Sequence, residues 1–478
     1  MFTSATLLAI ASVVTLGGAA NSDDWPQWRG PDGNGVSGAT NLPTEWGPEK
    51  NVVWKTALPG WSGATPIITG DHIFLTSPSK VSAEELAKAE EEARQREAER
   101  EESGRGRGRG RRGRGGSGRG GGRHPGGQEL MLVCLSRTSG EILWEKQVDE
   151  GNRLFMKGNS TSPSPVTDGK HVWVVTGNGQ VTAFDLAGQE TWKTNLQETY
   201  GEFGLNWGYA SSPLLYQGQL IIEVLHGMRT EKPSYLVSLE AATGKVLWKV
   251  DRPTDAPRES PDAYTTPLLV KKGDKTQIII SGGDYVTGHD PKDGKELWRI
   301  AGLNPRKASN YRIVASPILA GDVLVAPTRV RPMLGIALGD ELKPTDESIA
   351  WRFEDRGGPD VPTPTTDGKR VYVIDDSAMA TCLDAKSGEV IWGPERTVNG
   401  RVSSSPLLAD GKIYVTTEEG TTVVLAAGDT FKILAENQLD GSYTLASPIA
   451  TGGQIFIRTG DHLYCLGNVQ KKDDSGEE

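Results

Sequence analysis

From residue 60 onward the chain alternates short apolar runs with polar breaks that carry glycine, and within the runs the periodicity is close to two. Pro165 leads through Asp168-Gly169-Lys170 into His171-Val172-Trp173-Val174-Val175. Pro364 leads through Asp367-Gly368-Lys369 into Arg370-Val371-Tyr372-Val373-Ile374, and Pro406 through Asp410-Gly411-Lys412 into Ile413-Tyr414-Val415. Asp-Gly between β-branched and aromatic runs predicts hairpins, because glycine supplies the positive φ of a tight turn. A second hairpin follows in most units. Leu239–Trp248 reads Leu-Glu-Ala-Ala-Thr-Gly-Lys-Val-Leu-Trp, and Leu383–Trp392 reads Leu-Asp-Ala-Lys-Ser-Gly-Glu-Val-Ile-Trp. Leu135–Trp144 and Asp290–Trp298 match closely, and Asp185–Trp192 is a shortened version.

Each unit opens with Ser-Pro or Thr-Pro, at Pro66, Pro165, Pro213, Pro267, Pro317, Pro364, Pro406 and Pro448. Successive spacings are 99, 48, 54, 50, 47, 42 and 42 residues, so one insertion sits in the first unit. Proline is tolerated at the first residue of a strand, where no ladder donor is needed. Four short strands in roughly 40–50 residues is the length of a propeller blade. The last unit stops after Leu463-Tyr464-Cys465-Leu466 and lacks its fourth strand, while Asn51-Val52-Val53-Trp54-Lys55 precedes the first unit. The pattern therefore predicts an all-β chain: an eight-bladed β-propeller of four-stranded blades over residues 51–468, its ring closed by the N-terminal strand. Closure removes a sheet edge that would otherwise invite aggregation.

These repeats resemble the PQQ-type (pyrroloquinoline quinone) propeller repeats of bacterial quinoprotein dehydrogenases and of BamB-like assembly factors. The family pattern Ala-x-Asp-x-x-Thr-Gly-Lys-x-x-Trp is matched best by Leu239–Trp248 and Leu383–Trp392. The segment Asp24-Trp25-Pro26-Gln27-Trp28-Arg29-Gly30-Pro31 is similar to the opening of many planctomycete secreted proteins with this fold. The resemblance implies the fold for nearly all of the chain and leaves the activity open, because one fold hosts many functions.

Outside the repeats, Leu7 to Ala20 is an apolar run ending in Gly18-Ala19-Ala20. It is too short to span a bilayer comfortably and suits a signal peptide over 1–20, although Met1 to Thr6 carry no Lys or Arg. This places the protein in the periplasm or outside the cell. Residues 21–50 are expected to pack on the propeller, pinned by Trp25 and Trp28. The insertion, 79–128, has a helix-favouring half, 82–102, and an Arg-Gly half, 103–127. It carries 13 Lys/Arg against 9 Asp/Glu, a net +4, while the rest carries 39 against 53, a net −14. A basic arm thus hangs from an acidic body, and a polyanion contact through residues 105–123 is one reading; nucleic acid is a poor partner for an exported chain. The other reading is a solvated loop without structure, as is also expected of the acidic tail, 469–478.

Three cysteines, Cys134, Cys382 and Cys465, fill a small-residue slot that holds Ala183, Ser238 and Gly288 in other units. Their separation argues against a disulfide, and no Cys-Cys or Cys-x-x-Cys pair is present. The six histidines lack metal-ligand spacing, and neither a Gly-x-Ser-x-Gly elbow nor a P-loop occurs. Trp54, Trp144, Trp192, Trp248, Trp298, Trp351 and Trp392 recur once per unit and are read as packing between blades. Residues entering the first strands are expected to ring one mouth of the channel: Trp61, Trp207, Tyr209, Tyr264, Arg312, Asp360, Arg401 and Tyr443. Aromatics with two arginines suit an anionic planar ligand or a sugar; ordinary loop packing is the plainer reading. No catalytic residues, metal or cofactor are expected. The leading reading is a non-catalytic envelope scaffold that binds another envelope protein or an extracellular polymer. The alternative implied by the resemblance is a quinone-dependent oxidoreductase using PQQ with Ca²⁺, although its cysteine pair is missing here.

Overall fold

The computed structural model describes residues 24–85, 87–88, 91, 94–95, 124–354 and 358–469. Eight antiparallel blades of four strands succeed one another along the chain, in blades 1 to 7 with the earliest strand innermost, and form an eight-bladed propeller. The innermost strands of blades 1 to 8 are Ile67–Thr69, Val166–Thr167, Leu214–Tyr216, Leu268–Lys272, Ile318–Ala320, Thr365–Thr366, Leu407–Ala409 and Ile449–Thr451. The middle strands are near-continuous apolar runs, such as His171–Val175, because a neighbouring blade covers each face. The outermost strands alternate, as in Val246–Asp251, because their rim faces water.

The last blade is completed as the repeat count demands. Val52–Ala57 pairs antiparallel with His462–Gly467, with Trp54 opposite Cys465. Arg458 reinforces the closure from inside. Its buried guanidinium donates to Ala64 O (3.2 Å), Thr76 O (2.6 Å) and Gly60 O (3.2 Å) in and before blade 1.

The recurring Ser/Thr before proline has a structural purpose. The Thr65 N–H donates to Ser164 Oγ, Ser164 to Ser212, Ser212 to Thr266, Thr266 to Ser316, Ser316 to Thr363, Thr363 to Ser405, Ser405 to Ser447, and Ser447 back to Thr65. Eight bonds of 2.9–3.2 Å thus form an unbroken circle, one link per blade.

The tryptophans form a second, outer circle. The Trp54 indole covers Gly140 of the next blade, where a Cβ would lie 2.5 Å from the ring, and its Nε1 donates to Arg137 O. Trp144 covers Gly188, Trp192 Gly244, Trp248 Gly294 and Trp351 Gly388 in the same way, and Trp392 donates to Gly428 O. Trp298 departs from the pattern. Its Nε1 donates to Gln277 within its own blade, and the ring lies on Gly288. Cross-strand register explains the small-residue slot: Cys134, Ala183, Ser238, Gly288, Gly335, Cys382 and Cys465 each stand opposite a tryptophan. All three cysteines are buried and unbridged.

Before entering blade 8, residues 24–50 cross the floor of the channel as a strap. Trp25 exchanges both backbone hydrogen bonds with Ile68, and the Thr167 N–H donates to Pro26 O. Arg29, 2% exposed, donates to Pro364 O and Pro406 O (both 2.6 Å), and burial lowers its guanidinium to about 9. Val36–Ser37 then adds as a parallel strand to the inner edge of blade 7, and Ser37 Oγ donates to Ala450 O in blade 8.

The insertion leaves blade 1 after His72–Pro78 and rejoins it at Glu129–Ser136, and its last residues are held against the blade. His124 to Gly127 are packed: Trp61 Nε1 donates to His124 O, Asn152 Nδ2 to Pro125 O, and the Gly127 N–H to Ser79 O. Residues 83–85 are helical, and Ser82 and Glu85 exchange side-chain-to-backbone bonds as a capping box. The Arg-Gly tract with its polyanion reading, the signal-peptide segment 1–20 and the tail from 470 lie outside the described residues.

Two outcomes follow. Ser164→Ala leaves the buried Thr65 N–H without an acceptor, so urea titration should register a loss of about 1–3 kcal/mol, whereas Ser164→Thr should hold close to wild type. Replacing residues 83–122 by a short turn should leave the thermal midpoint within about 3 °C of wild type, since loop length acts only logarithmically. Extending the deletion through 128 should cost more, because the bonds of His124, Pro125 and Gly127 are then lost.

Candidate functional site

The connections that lead into the innermost strands converge at one end of the channel and enclose a chamber of about 270 Å³. The Trp28 side chain from the strap closes it below. Its walls carry Trp207, Tyr264, Val314, Val361 and Leu445, and Ser164, Ser212, Thr266, Thr363, Ser405 and Ser447 of the hydroxyl circle. A small hairpin lies across the top, Leu154–Phe155 paired with Gly158–Asn159, turning at Met156 with φ 52°. Phe155 lies against Gly208, at the approach to blade 3, and Lys157 reaches the approach to blade 7, so the hairpin bridges the mouth.

A belt of charge pairs runs round half of that mouth. Trp207 Nε1 donates to Glu259 (2.7 Å), which faces Arg312 at 3.8 Å. Arg312 binds Asp360 at 3.0 Å, and Arg329 approaches the second oxygen of Asp360 at 3.6 Å. The Asp360 and Val361 amides donate to Asp376, whose carboxyl burial raises and Lys157 holds back. Lys157 lies 3.9 Å from Asp376, 2.8 Å from Glu418 and 2.7 Å from Ser403 Oγ. Burial alone would raise Glu418, but the Lys157 charge and the Ser403 hydroxyl outweigh it and hold the carboxyl below its ordinary value. Every charged side chain of the belt therefore faces an opposite charge, and the chamber presents aromatic faces and hydroxyls. Such a chamber holds a ligand by stacking and hydrogen bonding.

Of the eight residues expected at the mouth, Trp207, Tyr264, Arg312 and Asp360 line the chamber. Trp61 and Tyr443 stack edge to face beside it, 5.3 Å apart. Tyr209 is not at the mouth. It is 2% exposed, packs on Phe203 and donates to Glu223 O, so it belongs to the core. Arg401 is exposed and does not line the chamber; its carbonyl accepts from the Glu418 amide, and its charge helps hold the Glu418 carboxyl below its ordinary value. Side-chain direction in these loops therefore does not follow the repeat, and Tyr209 turns into the core where four of the other seven line the chamber. Phe155, Lys157, Ser403 and Glu418 carry no signal in the sequence as site residues, and Trp28, with Trp25, is read there as a pin for the N-terminal segment with a partner site as the alternative. Trp28 stood in the sequence as a tryptophan outside the repeat, and that was its only signal.

At the other end of the channel a larger cavity, about 870 Å³, lies between strap residues Gln27–Asn34 and the innermost strands of blades 3, 4 and 5. Trp28 lines both cavities and so divides the channel. Between blades 3 and 4, Glu223 is wholly buried. Thr265 Oγ1 donates to its Oε1 at 2.9 Å and its Oε2 has no partner. Among the described residues, no three His, Cys, Asp or Glu side chains cluster as metal ligands, and no helix is long and apolar enough to cross a membrane.

A family model described as outer membrane protein assembly factor BamB matches residues 129–331 and 340–432. The chain is 20% identical over 342 residues to the outer membrane protein assembly factor BamB of Yersinia pestis, covering 69% of this chain and 77% of that one. In fold it is similar to a europium-containing methanol dehydrogenase, with a TM-score of 0.64, 13% identity, and coverage of 95% of this chain and 100% of the other. It is likewise similar to BamB from Moraxella catarrhalis, with a TM-score of 0.53, 12% identity, and coverage of 72% and 95%.

Glu223 makes stability pH-dependent. Burial raises its carboxyl from 4.5 to about 8, so the folded state favours the protonated form. Its contribution is complete below pH 4.5 and is lost as pH rises through 8. Urea midpoints of wild type should therefore fall relative to Glu223→Gln as pH climbs from 5 to 9; parallel curves would show that Glu223 does not titrate in this way.

Proposed function

The chain belongs to the family of the outer membrane protein assembly factor BamB, and we propose that it is a non-catalytic binding or scaffolding protein of the cell envelope, in the periplasm or outside the cell. The chamber mouth is its recognition face, and its partner is another envelope protein or an extracellular polymer. The observation that carries this reading is the charge belt. Glu259, Arg312, Asp360, Arg329, Asp376, Lys157 and Glu418 are spent on one another, which leaves a rim of paired charges, of the kind that recognises shape and hydrogen-bonding pattern.

The reading that competes is an oxidoreductase dependent on PQQ and Ca²⁺, favoured by the aromatic chamber and by the fold shared with a methanol dehydrogenase. The side chains present do not fit that pair. Arg312 is already held by Asp360, and Arg401 does not line the chamber. The three cysteines are buried inside blades opposite tryptophans, far from stacking on a chamber ligand. No acidic cluster among the described residues offers a Ca²⁺ cage.

Calorimetric titration of PQQ, with and without Ca²⁺, separates the two. We expect no dissociation constant at or below about 1 μM, equivalent to roughly 8 kcal/mol. Binding that tight, lost in Arg312→Ala, would put the oxidoreductase first. A pull-down of the mature protein from its own envelope fraction should recover a partner that Lys157→Glu releases.

A further inference from the structure

The innermost strands have inward-facing backbone groups that the blade ladders do not use. In each of six blades the innermost strand turns into the next through a two-residue loop, for example Thr69 to His72 and Lys272 to Lys275. The residues flanking such a loop exchange both hydrogen bonds, so the residue one step before them points its N–H and C=O away from the ladder, toward the channel. In blades 1, 7 and 8 these positions are Ile68, Leu408 and Ala450, and in blades 3, 4 and 5 they are Leu215, Lys271 and Leu319, with Leu269 two residues further back in blade 4.

The strap takes up the first set. Ile68 exchanges both bonds with Trp25, Leu408 N–H donates to Gly35 O, and Ala450 O accepts from Ser37 Oγ. All three residues are buried beneath it. The second set has no such cover. Leu215, Leu269 and Leu319 are half-buried, Lys271 is exposed, and all four line the cavity of about 870 Å³. Their inward backbone groups make no hydrogen bond within the described residues.

We propose that this open arc, the inner edges of blades 3, 4 and 5, is a docking site for an extended segment of another polypeptide. The segment adds as a strand to Leu268–Lys272, the longest of the innermost strands and the only one with two inward positions. Its apolar side chains cover Leu215, Leu269 and Leu319, and an acidic residue reaches Lys271. The chain itself supplies the precedent, because Val36–Ser37 adds to the blade 7 edge in this way and the vacant arc continues the same inner surface. Backbone pairing supplies affinity with little sequence demand, and the leucines select extended chains that carry apolar residues. The site lies across Trp28 from the chamber, so it is independent of the recognition face proposed above.

The test uses the whole protein and, as probe, reduced and carboxymethylated lactalbumin, which stays unfolded, with native lactalbumin as control. Fluorescence anisotropy should show binding of the unfolded form alone. Leu269→Asp with Leu319→Asp should weaken it at least tenfold. Should that variant fail to fold, Lys271→Pro serves instead: it removes an inward N–H while keeping every ladder bond, and should weaken binding comparably. Hydrogen exchange should slow at Leu269 and Lys271 when the probe is added. Equal binding by the folded variants, protection at the chamber mouth instead of blade 4, or no binding of the unfolded probe at 100 μM would each overturn the proposal.

Discussion

Eight amide-to-hydroxyl hydrogen bonds, one per blade, hold the centre of this molecule. The proline that follows each hydroxyl residue biases that residue toward extended backbone, and its side chain then accepts from the preceding blade. A buried amide without a partner costs far more than a made bond returns. The circle therefore penalises any blade that drifts outward, and it closes only when Ser447 meets Thr65. The outer circle of tryptophans over glycines constrains the same blades at greater radius. Between the two, each sheet is fixed at both ends, and the loops at the mouth stand on a rigid base.

The strap breaks the eightfold symmetry. It covers the inner edges on one side of the channel, buries Arg29 against two proline carbonyls, and sets the Trp28 side chain in the channel. The two ends of the channel thereby become chemically different. One is an aromatic chamber under a hairpin, rimmed by paired charges; the other is a wider space with leucines and unused backbone groups. Neither difference comes from the repeat, since both are made by segments inserted between or ahead of the units.

This is also why the fold was legible in the sequence and the site only partly so. Blade count, the Ser/Thr-Pro openings and the closing strand at Val52–Ala57 all follow from periodic features that packing imposes on every unit. Trp298 escaped because the outer connection of blade 5 places no glycine under its ring, Gly339 lying clear of any side chain. Tyr209 turns into the core because loop residues before a strand have no fixed periodicity, so being near the mouth in sequence does not decide whether a side chain points into it. Lys157 could not be found at all, since its partners Ser403 and Glu418 are about 250 positions away or more. The small cysteine slot was visible as a pattern, and its cause, a tryptophan across the strand, emerged only from the register.

The closing strand also constrains when the molecule can come into being. Trp54 pairs with Cys465, more than 400 positions later, so the first blade-forming residue made waits for nearly the last. Until then the nascent polypeptide carries two raw edges, the unfinished blade 8 and the uncovered side of blade 1, and contacts this distant in sequence form slowly. Such a topology suits a polypeptide kept unfolded until its synthesis is finished, when both ends are free to meet.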